Sequence, residues 1–455
     1  MLEQEVARRA AVLSQNGIGR GAPVVIAHDG SAHFFADLLA VWTLGATAIC
    51  LDSGLTEAEF RTLIAFAAPA AILVEGNAVA ADPLIPVLRL AGSGDAPMTM
   101  PAWALNDPAL VLFTSGTTGA PKGVVLTFRA LLARWSLNVA VIGERTLART
   151  LVTLPTHFGH GLIGNALTSL LAGGTIVLYA RGMPLARELG RIVDKEDITF
   201  MSSVPALWQM ALKLGNPPAG DSLTRVHIGS APLAAELWSD VAAWSRAEIV
   251  NCYGMTETAN WISGASSKAD GIEEGLVGKV WGGAAAVVNE RGERQALGEG
   301  EIVLQSPSLM AGYFGRPDLS AEVLRDGWFH TGDRGSIDAD GKIRLTGRIK
   351  DEINRAGFKV QPAEIDRLLE SHPAVAQACV FAIPDTIGGE SVAAAIRLAE
   401  GASENAESLR SWCELRLRRE AIPGRWFIVR DLPHNARGKV DRNAVRRMLV
   451  KDAAK

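Results

Sequence analysis

The chain has 455 residues, a formal net charge of −4 and 48% hydrophobic residues, an ordinary composition for a globular protein. Its length indicates about two to four domains or subdomains. No polybasic block is large enough to suggest a nucleic acid partner. The four cysteines form no CxxC pair and lie in apolar or helical surroundings, which favours reduced thiols and a cytoplasmic location.

Short apolar runs alternate with helical patterns over the first half of the chain. The N-terminus lacks a signal-peptide core, and the apolar stretch 34–51 is interrupted by Asp37 and Gly45, so it predicts a buried helix and a strand and no membrane span. The alternation predicts parallel strands joined by crossover helices. The apolar runs are VVIA at 24–27, AICL at 48–51, AILV at 71–74, LVLF at 110–113, LVTL at 151–154, TIVLY at 175–179, ITFM at 198–201, RVHIGS at 225–230 and EIVNCYG at 248–254.

The pattern changes at about residue 276, where glycine-rich turns and short strands predict an antiparallel or barrel-like part up to 348. A smaller α+β segment follows, and GRIKDEINRAG at 347–357 predicts the junction. Its predicted elements are a helix near 362–371, strands around 377–383 and 392–398, a helix at 407–419 and a basic tail. We therefore predict an α/β protein with a large N-terminal domain, 1–349, of doubly wound mostly parallel sheets plus a small β-barrel-like part, and a small α+β C-terminal domain, 350–455.

The stretch FTSGTTGAPKGV at 113–124 is dense in groups that bind anions. A Walker loop needs a glycine, four residues and then Gly-Lys-Ser/Thr, and the spacing from Gly116 to Lys122 does not fit. Glycines let backbone N–H groups face an anion, hydroxyls add donors and a lysine adds charge. The stretch predicts a phosphate-binding loop, the alternative being a plain strand-to-helix turn. The residues concerned are Thr114, Ser115, Gly116, Thr117, Thr118, Gly119 and Lys122.

This loop resembles the phosphate-binding signature of the adenylate-forming enzymes, the superfamily of acyl- and aryl-CoA synthetases, peptide-synthetase adenylation domains and beetle luciferases. Four further motifs follow in the order of that family and extend the resemblance over nearly the whole chain. They are NCYGMTET at 251–258, GWFHTGD at 327–333, GRIKDEINRAGFKVQPAEID at 347–366 and LPHNARGKVDR at 432–442. The resemblance implies that the chain uses ATP and Mg²⁺ to convert a carboxylic acid to an acyl-adenylate, releases pyrophosphate and passes the acyl group to a thiol.

The resemblance assigns the loop at 114–122 to the β- and γ-phosphates of ATP, with Lys122 balancing the departing pyrophosphate. Glu257 would bind Mg²⁺ and Thr256 an α-phosphate oxygen, since magnesium favours a carboxylate together with phosphate oxygens. An isolated glutamate would more often be a helix-start carboxylate. Tyr253 would stack on adenine. The other positions implied for nucleotide binding in these segments are Gly229, Ser230, Ala231, Cys252 and Gly254.

In the later motifs, Asp333 resembles the carboxylate that accepts hydrogen bonds from both ribose hydroxyls, and Arg348 would contact ribose or phosphate. Lys439 resembles the mobile catalytic lysine that bridges the substrate carboxylate and the α-phosphate. Lys350 matches a hinge position, about which the small domain would rotate between the two half-reactions. Gly357 would let the backbone approach the pantetheine arm. The motif departs from many relatives at 435–436, where Asn and Ala replace a threonine and often a proline.

The segment LPTHFGHGL at 154–162 resembles the one that opens the acyl pocket. It lacks the aspartate that holds the α-amino group in amino-acid-activating domains, which favours an acid without an α-ammonium group. Trp208 and Trp261 would make the pocket apolar, but either could equally be core. His160 has no implied role and is interpreted as a satisfied core histidine. The predicted pocket residues are His157, Phe158, Gly161, Val204, Trp208, Ser230, Thr258 and Trp261.

Three functions remain open from the sequence. The first is a CoA synthetase with coenzyme A as acceptor, and the second is a stand-alone adenylation enzyme that loads the phosphopantetheine of an acyl carrier protein. The third is an inactive relative that acts as a binding module, and the presence of Lys122, Glu257, Asp333, Arg348 and Lys439 argues against it. We expect a small carboxylic acid substrate, no nucleic acid, no membrane span, and a monomer or homodimer. The sequence does not name the acid.

Overall fold

A computed structural model gives the fold of the chain. It describes residues 2–28, 30–75, 85–90, 103–114, 122–179, 183–355, 358–385, 389–417, 419–435 and 438–451. Two compact units are present. Unit 1 comprises Met1–Ile272, Val277–Ala284 and Leu304–Phe329, and unit 2 comprises Glu273–Leu276, Ala285–Val303 and His330–Lys455. The domain boundary expected between residues 349 and 350 stays a prediction.

The chain up to residue 266 alternates strands and helices, as the apolar runs predict. A π-helix, His160–Leu167, and a short 3₁₀ turn, Thr256–Thr258, complete this part. The elements are α1 (Leu2–Gln15), β1 (Pro23–Ile26), α2 (Ala32–Thr43), β2 (Thr47–Cys50), α3 (Glu57–Ala67), β3 (Ala71–Leu73), β4 (Val87–Leu88), β5 (Pro108–Thr114), β6 (Lys122–Thr127), α4 (Phe128–Ile142), β7 (Arg149–Val152), α5 (Thr168–Leu171), β8 (Thr175–Leu178), α6 (Met183–Lys195), β9 (Phe200–Ser203), α7 (Pro205–Leu214), β10 (Arg225–Ile228), α8 (Ala235–Ser245), β11 (Glu248–Met255) and β12 (Asn260–Ser266).

The remainder is richer in short strands. Further 3₁₀ turns occur here at Ile349–Asp351 and Arg419–Ala421, and another, Thr146–Ala148, precedes β7 in the first part of the chain. The elements are β13 (Leu276–Val280), β14 (Ala284–Val288), β15 (Arg294–Gln295), β16 (Gly298–Gln305), β17 (Gly312–Tyr313), α9 (Pro317–Val323), β18 (Leu324–Arg325), β19 (Trp328–Ile337), β20 (Ile343–Arg348), β21 (Ile353–Arg355), β22 (Phe358–Val360), α10 (Pro362–Glu370), β23 (Val375–Asp385), β24 (Gly389–Leu398), α11 (Ala406–Glu414), β25 (Arg425–Val429) and α12 (Arg442–Lys451).

Unit 1 contains two sheets with parallel centres, which confirms the predicted doubly wound α/β fold. The first has the order β17-β6-β5-β2-β1-β3-β4, and its strands from β5 to β4 are parallel neighbours. In the second, β8-β7-β9-β10-β11 are parallel and β12 and β13 continue the sheet antiparallel. Carboxyl ends of neighbouring parallel strands share one sheet edge, where ligands of open α/β sheets bind.

Helix starts in unit 1 follow local capping rules. Ser31 accepts a hydrogen bond from Phe34 N at the start of α2, and Thr127 does the same for Ala130 N at the start of α4. Thr56 and Glu59 form a reciprocal capping box on α3. Such caps satisfy N–H groups that have no partner within the helix. They hold each helix at a defined point after its strand, which fixes the loops at the sheet edge.

Unit 2 is formed mainly by antiparallel strands. One part has the order β15-β14-β16-β19-β20, which supplies the antiparallel region expected after residue 276. The other has the order β22-β21-β24-β23, with β25 pairing β24 in parallel. Helices α10 and α11 bury Ile365, Leu369, Leu409 and Cys413 against this second part. The α+β character expected for the C-terminal segment is confirmed.

One sequence interpretation near the C-terminus, the length of the predicted helix at 407–419, is wrong. The helix predicted at 407–419 ends at Glu414. Beyond it, Leu415 is 83% exposed and Leu417 packs against the core. The expected basic tail contains the helix α12, which buries Val445.

The apolar core of unit 1 fills the space between strands, helices and the π-helix, which contributes Leu162 and Ile163. All four cysteines are buried free thiols, as the sequence indicates. None of the helices in the described part of the chain is long and apolar enough to cross a membrane.

Candidate active site

The phosphate-loop motif joins two antiparallel strands. Thr114, the last residue of β5, pairs directly with Lys122, the first residue of β6, and its hydroxyl donates to Lys122 O at 3.4 Å. A Walker loop instead connects a strand to a helix, so this geometry agrees with the exclusion drawn from spacing. It also differs from the plain strand-to-helix turn considered as the alternative. The loop residues between Thr114 and Lys122 lie outside the described residues. Those predicted to bind phosphate are Ser115, Gly116, Thr117, Thr118 and Gly119.

Lys122 and Glu257 both contact Tyr313. This tyrosine is 9% exposed and follows Gly312 in the two-residue edge strand β17. The Tyr313 hydroxyl donates to Glu257 Oε1 at 2.9 Å. The Lys122 ammonium lies 5.5 Å from the centroid of the same ring, a cation–π distance. One aromatic side chain thus brings the predicted phosphate lysine and the predicted magnesium carboxylate together.

The backbone around Glu257 is fixed on both sides. Thr256 and Glu257 lie in the 3₁₀ turn after β11, and Glu257 O accepts from Met310 N at 2.8 Å. Thr258, fully buried, accepts from Met255 N at 3.1 Å through its hydroxyl. Its hydroxyl donates to Asn260 O at 2.6 Å. The predicted pocket residue Thr258 therefore shapes the turn by buried hydrogen bonds.

The buried guanidinium of Arg134 supports the Glu257 turn through Ser308. Arg134 on α4 is fully buried and donates to Ser308 Oγ at 2.6 Å, to Ser306 Oγ and to Trp281 O. Ser308 Oγ in turn donates to Thr258 O at 3.1 Å. Burial without a carboxylate partner lowers the pKa of Arg134 to about 9. The α4 helix is thereby linked through Ser308 to the residue next to Glu257.

The predicted acyl segment follows β7 and lies beside the Glu257 turn. His157 Nε2 lies 3.3 Å from Asp52 Oδ2, and its ring packs edge-on against Phe158. A Cβ built on Gly159 would lie 4.0 Å from Thr256 Oγ1, so this segment approaches the predicted α-phosphate residue. His157 and Phe158 are both partly exposed, as pocket-lining residues need to be.

His160 is held by two hydroxyls. Its Nδ1 lies 2.8 Å from Ser230 Oγ and its Nε2 contacts Ser202 Oγ, so both ring nitrogens have partners. It is 8% exposed and its ring meets Trp261 at 5.3 Å. Ser230 is exposed and adopts a left-handed backbone with φ of 66°, in the turn Gly229, Ser230 and Ala231 that follows β10. His160 therefore connects the predicted acyl segment with the predicted adenine turn.

Other predicted pocket residues have structural reasons of their own. Trp208 is fully buried and donates to Ser203 Oγ at 2.6 Å, which places it in the core, one of the two alternatives left open. Trp261 is 2% exposed and packs edge-on against His227. Val204 is partly exposed after β9. Gly161 lies in the π-helix, where a Cβ would come within 2.4 Å of Pro155 O, so only glycine fits.

The predicted adenine positions on β11 are largely buried. Cys252 is 5% and Tyr253 7% exposed, and the Cys252 side chain packs with Trp261 and Phe200. Gly254 faces the Asn260 carbonyl closely, at a bulge in the pairing of β11 with β12. Nucleotide contact at 252 and 254 would therefore come from backbone groups.

In unit 2, Asp333 and Arg348 face each other across β19 and β20. They are directly paired in register, and Arg348 Nε donates to Asp333 Oδ1 at 2.8 Å. Asp333 is 5% exposed, whereas the Arg348 side chain is about half exposed. The buried carboxylate thus keeps one oxygen on the arginine, which positions both groups predicted for the ribose.

The remaining predicted residues of unit 2 are also placed. Lys350 lies in the 3₁₀ turn that follows β20. Gly357 lies outside the described residues. Lys439 is exposed, directly after a turn whose tip, 436–437, is outside the described residues.

The Glu257 carboxylate is a donor that fits magnesium. No group of three or more His, Cys, Asp or Glu side chains in the described ranges could hold a metal ion. Magnesium is commonly bound by one or two carboxylates together with substrate phosphate oxygens and water. Glu257 supplies such a carboxylate, with its Oε1 held by the Tyr313 hydroxyl, so its chemistry matches that mode.

Sequence reasoning missed three residues that shape this site: Tyr313, Arg134 and Ser308. Tyr313 follows Gly312 in AGYFG, where two adjacent aromatic residues between glycines match no functional motif. Arg134 lies in an ordinary helical pattern, and no local signal marks an arginine that will be buried. These contacts join segments 50 or more residues apart, which sequence spacing does not reveal.

Fold and site geometry together define the chain as an adenylate-forming enzyme. A family model described as AMP-binding enzyme matches residues 1–314, and a second, described as AMP-binding enzyme C-terminal domain, matches residues 364–439. The chain therefore belongs to the AMP-binding enzyme family.

Curated relatives cover nearly the whole chain. An oxalate–CoA ligase of Arabidopsis thaliana is 32% identical over 97% of this chain and 91% of its own length. A feruloyl-CoA synthase of Amycolatopsis is 32% identical over 98% and 92%. A fatty acid–[acyl-carrier-protein] ligase of Streptomyces coeruleorubidus is 30% identical over 100% and 92%. The names of these relatives differ in the acid and give two acceptors, coenzyme A and an acyl carrier protein.

Solved structures agree in fold. ATP-bound MatB from Rhodopseudomonas palustris has a TM-score of 0.88, with 26% identity over 100% of this chain and 93% of its own. The o-succinylbenzoate CoA synthetase of Bacillus subtilis, in complex with its acyl-adenylate intermediate, has a TM-score of 0.87 with 25% identity over 98% and 92%. The chain is an AMP-forming acid–thiol ligase of the acyl-CoA synthetase type.

Proposed function

We propose that this chain joins a small carboxylic acid to coenzyme A in two steps, using ATP and Mg²⁺. In the first step a carboxylate oxygen attacks the α-phosphorus of ATP, the bond to the β-phosphate breaks, and pyrophosphate leaves. In the second step the sulfur of coenzyme A attacks the acyl carbon and AMP leaves. The observation that carries the proposal is that Lys122 and Glu257 both contact the Tyr313 side chain.

The side chains on Tyr313 match the charges of the first step. Glu257 would hold Mg²⁺, which supplies positive charge to the phosphate oxygens. Lys122 would balance the pyrophosphate as it departs, next to the loop of Thr114, Ser115, Gly116, Thr117, Thr118 and Gly119. Thr256, adjacent to Glu257, would donate to an α-phosphate oxygen. The protein's contribution is then mainly positioning, since the nucleophile and leaving group are both substrate groups.

Unit 2 would supply the ribose contacts and the catalytic lysine. Asp333 offers a buried carboxylate whose geometry is held by Arg348, which suits a vicinal diol. Lys439 would bridge the acid and the α-phosphate during adenylation. A domain of residues 350–455 would rotate about Lys350 after this step and bring Gly357 to the pantetheine arm. Rotation allows one small domain to serve both steps.

The acid would bind at the carboxyl ends of β7, β9 and β10. His157, Phe158 and Val204 are partly exposed there, and Ser230 is exposed. His160 and Ser230 add a polar pair to the wall. Trp208 contributes to the core behind this wall. An acid of modest size is the best match to this mixture of apolar and polar groups.

Transfer to an acyl carrier protein is the second candidate. It is favoured by the similarity to the fatty acid–[acyl-carrier-protein] ligase over the entire chain. The adenylation step is identical in the two candidates, and the thiol in both belongs to a phosphopantetheine arm. The two functions therefore differ in what surrounds the thiol.

Acid-dependent ATP–pyrophosphate exchange tests the proposal. A panel of fatty, aromatic and dicarboxylic acids is assayed for exchange, and the acid that works is then offered with coenzyme A or with a holo carrier protein. Exchange with at least one acid and thioester formation with coenzyme A are expected. Exchange followed by transfer to the carrier protein alone selects the second candidate. No exchange with any acid would contradict adenylate formation and favour a binding module.

A further inference from the structure

The loop that carries Lys439 is a short closed hairpin within unit 2. Asp441 N donates to Pro433 O at 2.8 Å, His434 and Val440 form an antiparallel bridge, and Asn435 N donates to Lys439 O at 2.8 Å. Lys439 is therefore the first residue of the returning arm. Its backbone is tied to the outgoing arm, although its side chain is exposed.

The side chain of Asn435 completes this hairpin in place of a backbone carbonyl. In a hydrogen-bonded antiparallel pair, Lys439 N would donate to Asn435 O. The Asn435 carbonyl instead accepts from Gly438 N at 2.9 Å. Gly438 adopts a left-handed backbone with φ of 72° in this turn. Lys439 N donates to Asn435 Oδ1 at 3.1 Å. The amide oxygen of Asn435 is thus the acceptor that holds the Lys439 backbone.

The base of the hairpin is anchored independently of Asn435. Arg442, which follows the hairpin, donates to Val380 O at 2.6 Å and to Asp351 Oδ2 at 3.2 Å, and also pairs with Asp366. Leu432 is 1% exposed and packs in the core of unit 2. A change at Asn435 should therefore loosen the tip of the hairpin and leave its base in place.

We propose that Asn435 is a positioning residue for Lys439, a role that rests on the proposed function. A lysine has a long flexible stem, and the direction in which the stem leaves the backbone is set by the peptide on either side of its Cα. Fixing the Lys439 N–H and C=O on Asn435 fixes that direction. Catalytic groups act efficiently when their supporting contacts restrict them to the productive geometry. An asparagine provides this support because its side-chain oxygen reaches a backbone N–H four residues away.

Two variants separate the acceptor oxygen from the side chain as a whole. Asn435→Ala removes the acceptor, whereas Asn435→Asp keeps an oxygen at the same reach. In the alanine variant we expect the exchange kcat to fall about three- to tenfold, the range that one exposed hydrogen bond supports. The KM values for ATP and acid should change less than about twofold, and thioester formation from preformed acyl-adenylate should be unchanged. The aspartate variant should restore most of the exchange kcat.

Amide hydrogen exchange measures the hydrogen bond from Lys439 N to Asn435 Oδ1 in the absence of substrate. In the unliganded chain, Asn435→Ala should speed exchange of the Lys439 amide, and Asn435→Asp should keep it protected. The matched control is Asn405→Ala, since Asn405 also accepts from backbone N–H groups, those of Glu407 and Ser408 at the start of α11. This control should change neither the Lys439 amide nor the ATP–pyrophosphate exchange.

A double-mutant cycle decides whether Asn435 acts through Lys439. If it does, adding Asn435→Ala to Lys439→Ala costs no further activity, because the group being positioned is already absent. An additional loss of activity in the double variant overturns the proposal. The proposal also fails if Asn435→Ala exposes the Lys439 amide to hydrogen exchange but leaves the kcat of ATP–pyrophosphate exchange undiminished. An equal loss of both half-reactions in Asn435→Ala would overturn it as well. Failure of the unaltered chain to exchange pyrophosphate with any acid contradicts the proposed function, and the Lys439 amide measurement still reports the hairpin contact separately.

Discussion

The Tyr313 hydroxyl donates to the Glu257 carboxylate at 2.9 Å, so Tyr313 holds one oxygen of the carboxylate that we propose binds Mg²⁺. Tyr313 belongs to the edge strand β17, so the orientation of the carboxylate depends on the first sheet. The same ring lies 5.5 Å from the Lys122 ammonium. A hydroxyl deletion and a ring deletion should therefore have different effects.

Tyr313→Phe should weaken magnesium use while leaving Lys122 in place. Without its donor, Glu257 can rotate, so we expect a rise of about three- to tenfold in the Mg²⁺ concentration for half-maximal ATP–pyrophosphate exchange. Tyr313→Ala should in addition lower the exchange rate at saturating Mg²⁺, because Lys122 loses its ring. Tyr179→Phe, at a side chain 36% exposed, is the matched control and should change neither quantity. An unchanged Mg²⁺ dependence in Tyr313→Phe would show that this hydrogen bond does not orient Glu257.

Lys439→Ala should separate the two half-reactions. We expect acid-dependent ATP–pyrophosphate exchange to fall at least about a hundredfold, since a cation aimed at developing charge is lost. Thioester formation from preformed acyl-adenylate should continue at a rate close to that of the unaltered chain. Lys342→Ala, in the turn between β19 and β20, serves as the control. Equal loss of both steps would contradict the rotation of a small domain between them.

Arg134→Ala should destabilise the fold. The substitution leaves a cavity and removes the donor from Ser308 Oγ and Trp281 O, so the free energy of unfolding should fall by about 2 to 4 kcal/mol. Arg129→Ala, on the exposed side of the same helix, should cost less than about 0.5 kcal/mol. Urea unfolding of both variants measures the difference. Equal effects of the two substitutions would contradict a supporting role for Arg134.

His227 predicts an acid-sensitive step in stability. Its ring is fully buried among Phe200, Trp261 and Trp281, and burial, with Arg225 and His160 nearby, lowers the pKa of His227 well below 6.5. Below pH 6.5 the unfolded chain binds a proton at this residue and the folded chain does not. The contribution of His227 to stability is therefore complete above pH 6.5 and declines as the pH falls.

This pH effect is measurable by urea unfolding at pH 7.5 and 5.5. The unaltered chain should lose about 1 kcal/mol through His227 over this interval, and His227→Gln should lose correspondingly less. His33→Gln, at a side chain that is 53% exposed, is the control. If His227→Gln retains the full pH dependence, the acid sensitivity arises from other groups.

The strands and the carboxyl-end location of the site were predictable from sequence. Runs such as LVLF at 110–113 and EIVNCYG at 248–254 have the continuous apolar character of buried parallel strands, and both are strands in the structure. The motif residues follow the ends of these two strands, β5 of the first sheet and β11 of the second. Local patterns carry this information because apolar burial and turn chemistry act over a few residues.

Contacts between distant segments were not predictable in this way. Trp208 resembles a pocket residue in sequence, and its full burial follows from how α7 packs. Helix α11 was predicted too long because the four-residue spacing of Leu409, Cys413 and Leu417 continues past its end. The hydrogen bond from Tyr313 to Glu257 joins residues 56 positions apart, and no periodicity reports such a contact. These features depend on tertiary packing, which overrides local preference.

The direct pairing of Thr114 with Lys122 has a consequence for how this enzyme can vary. Because Thr114 and Lys122 are paired neighbours in one sheet, the seven positions between them can be replaced as a unit. Replacing or lengthening this unit would leave the spacing of its ends unchanged, so the sheet need not adapt. Phosphate handling could thus be altered, by selection or by engineering, separately from the stability of the domain that carries it.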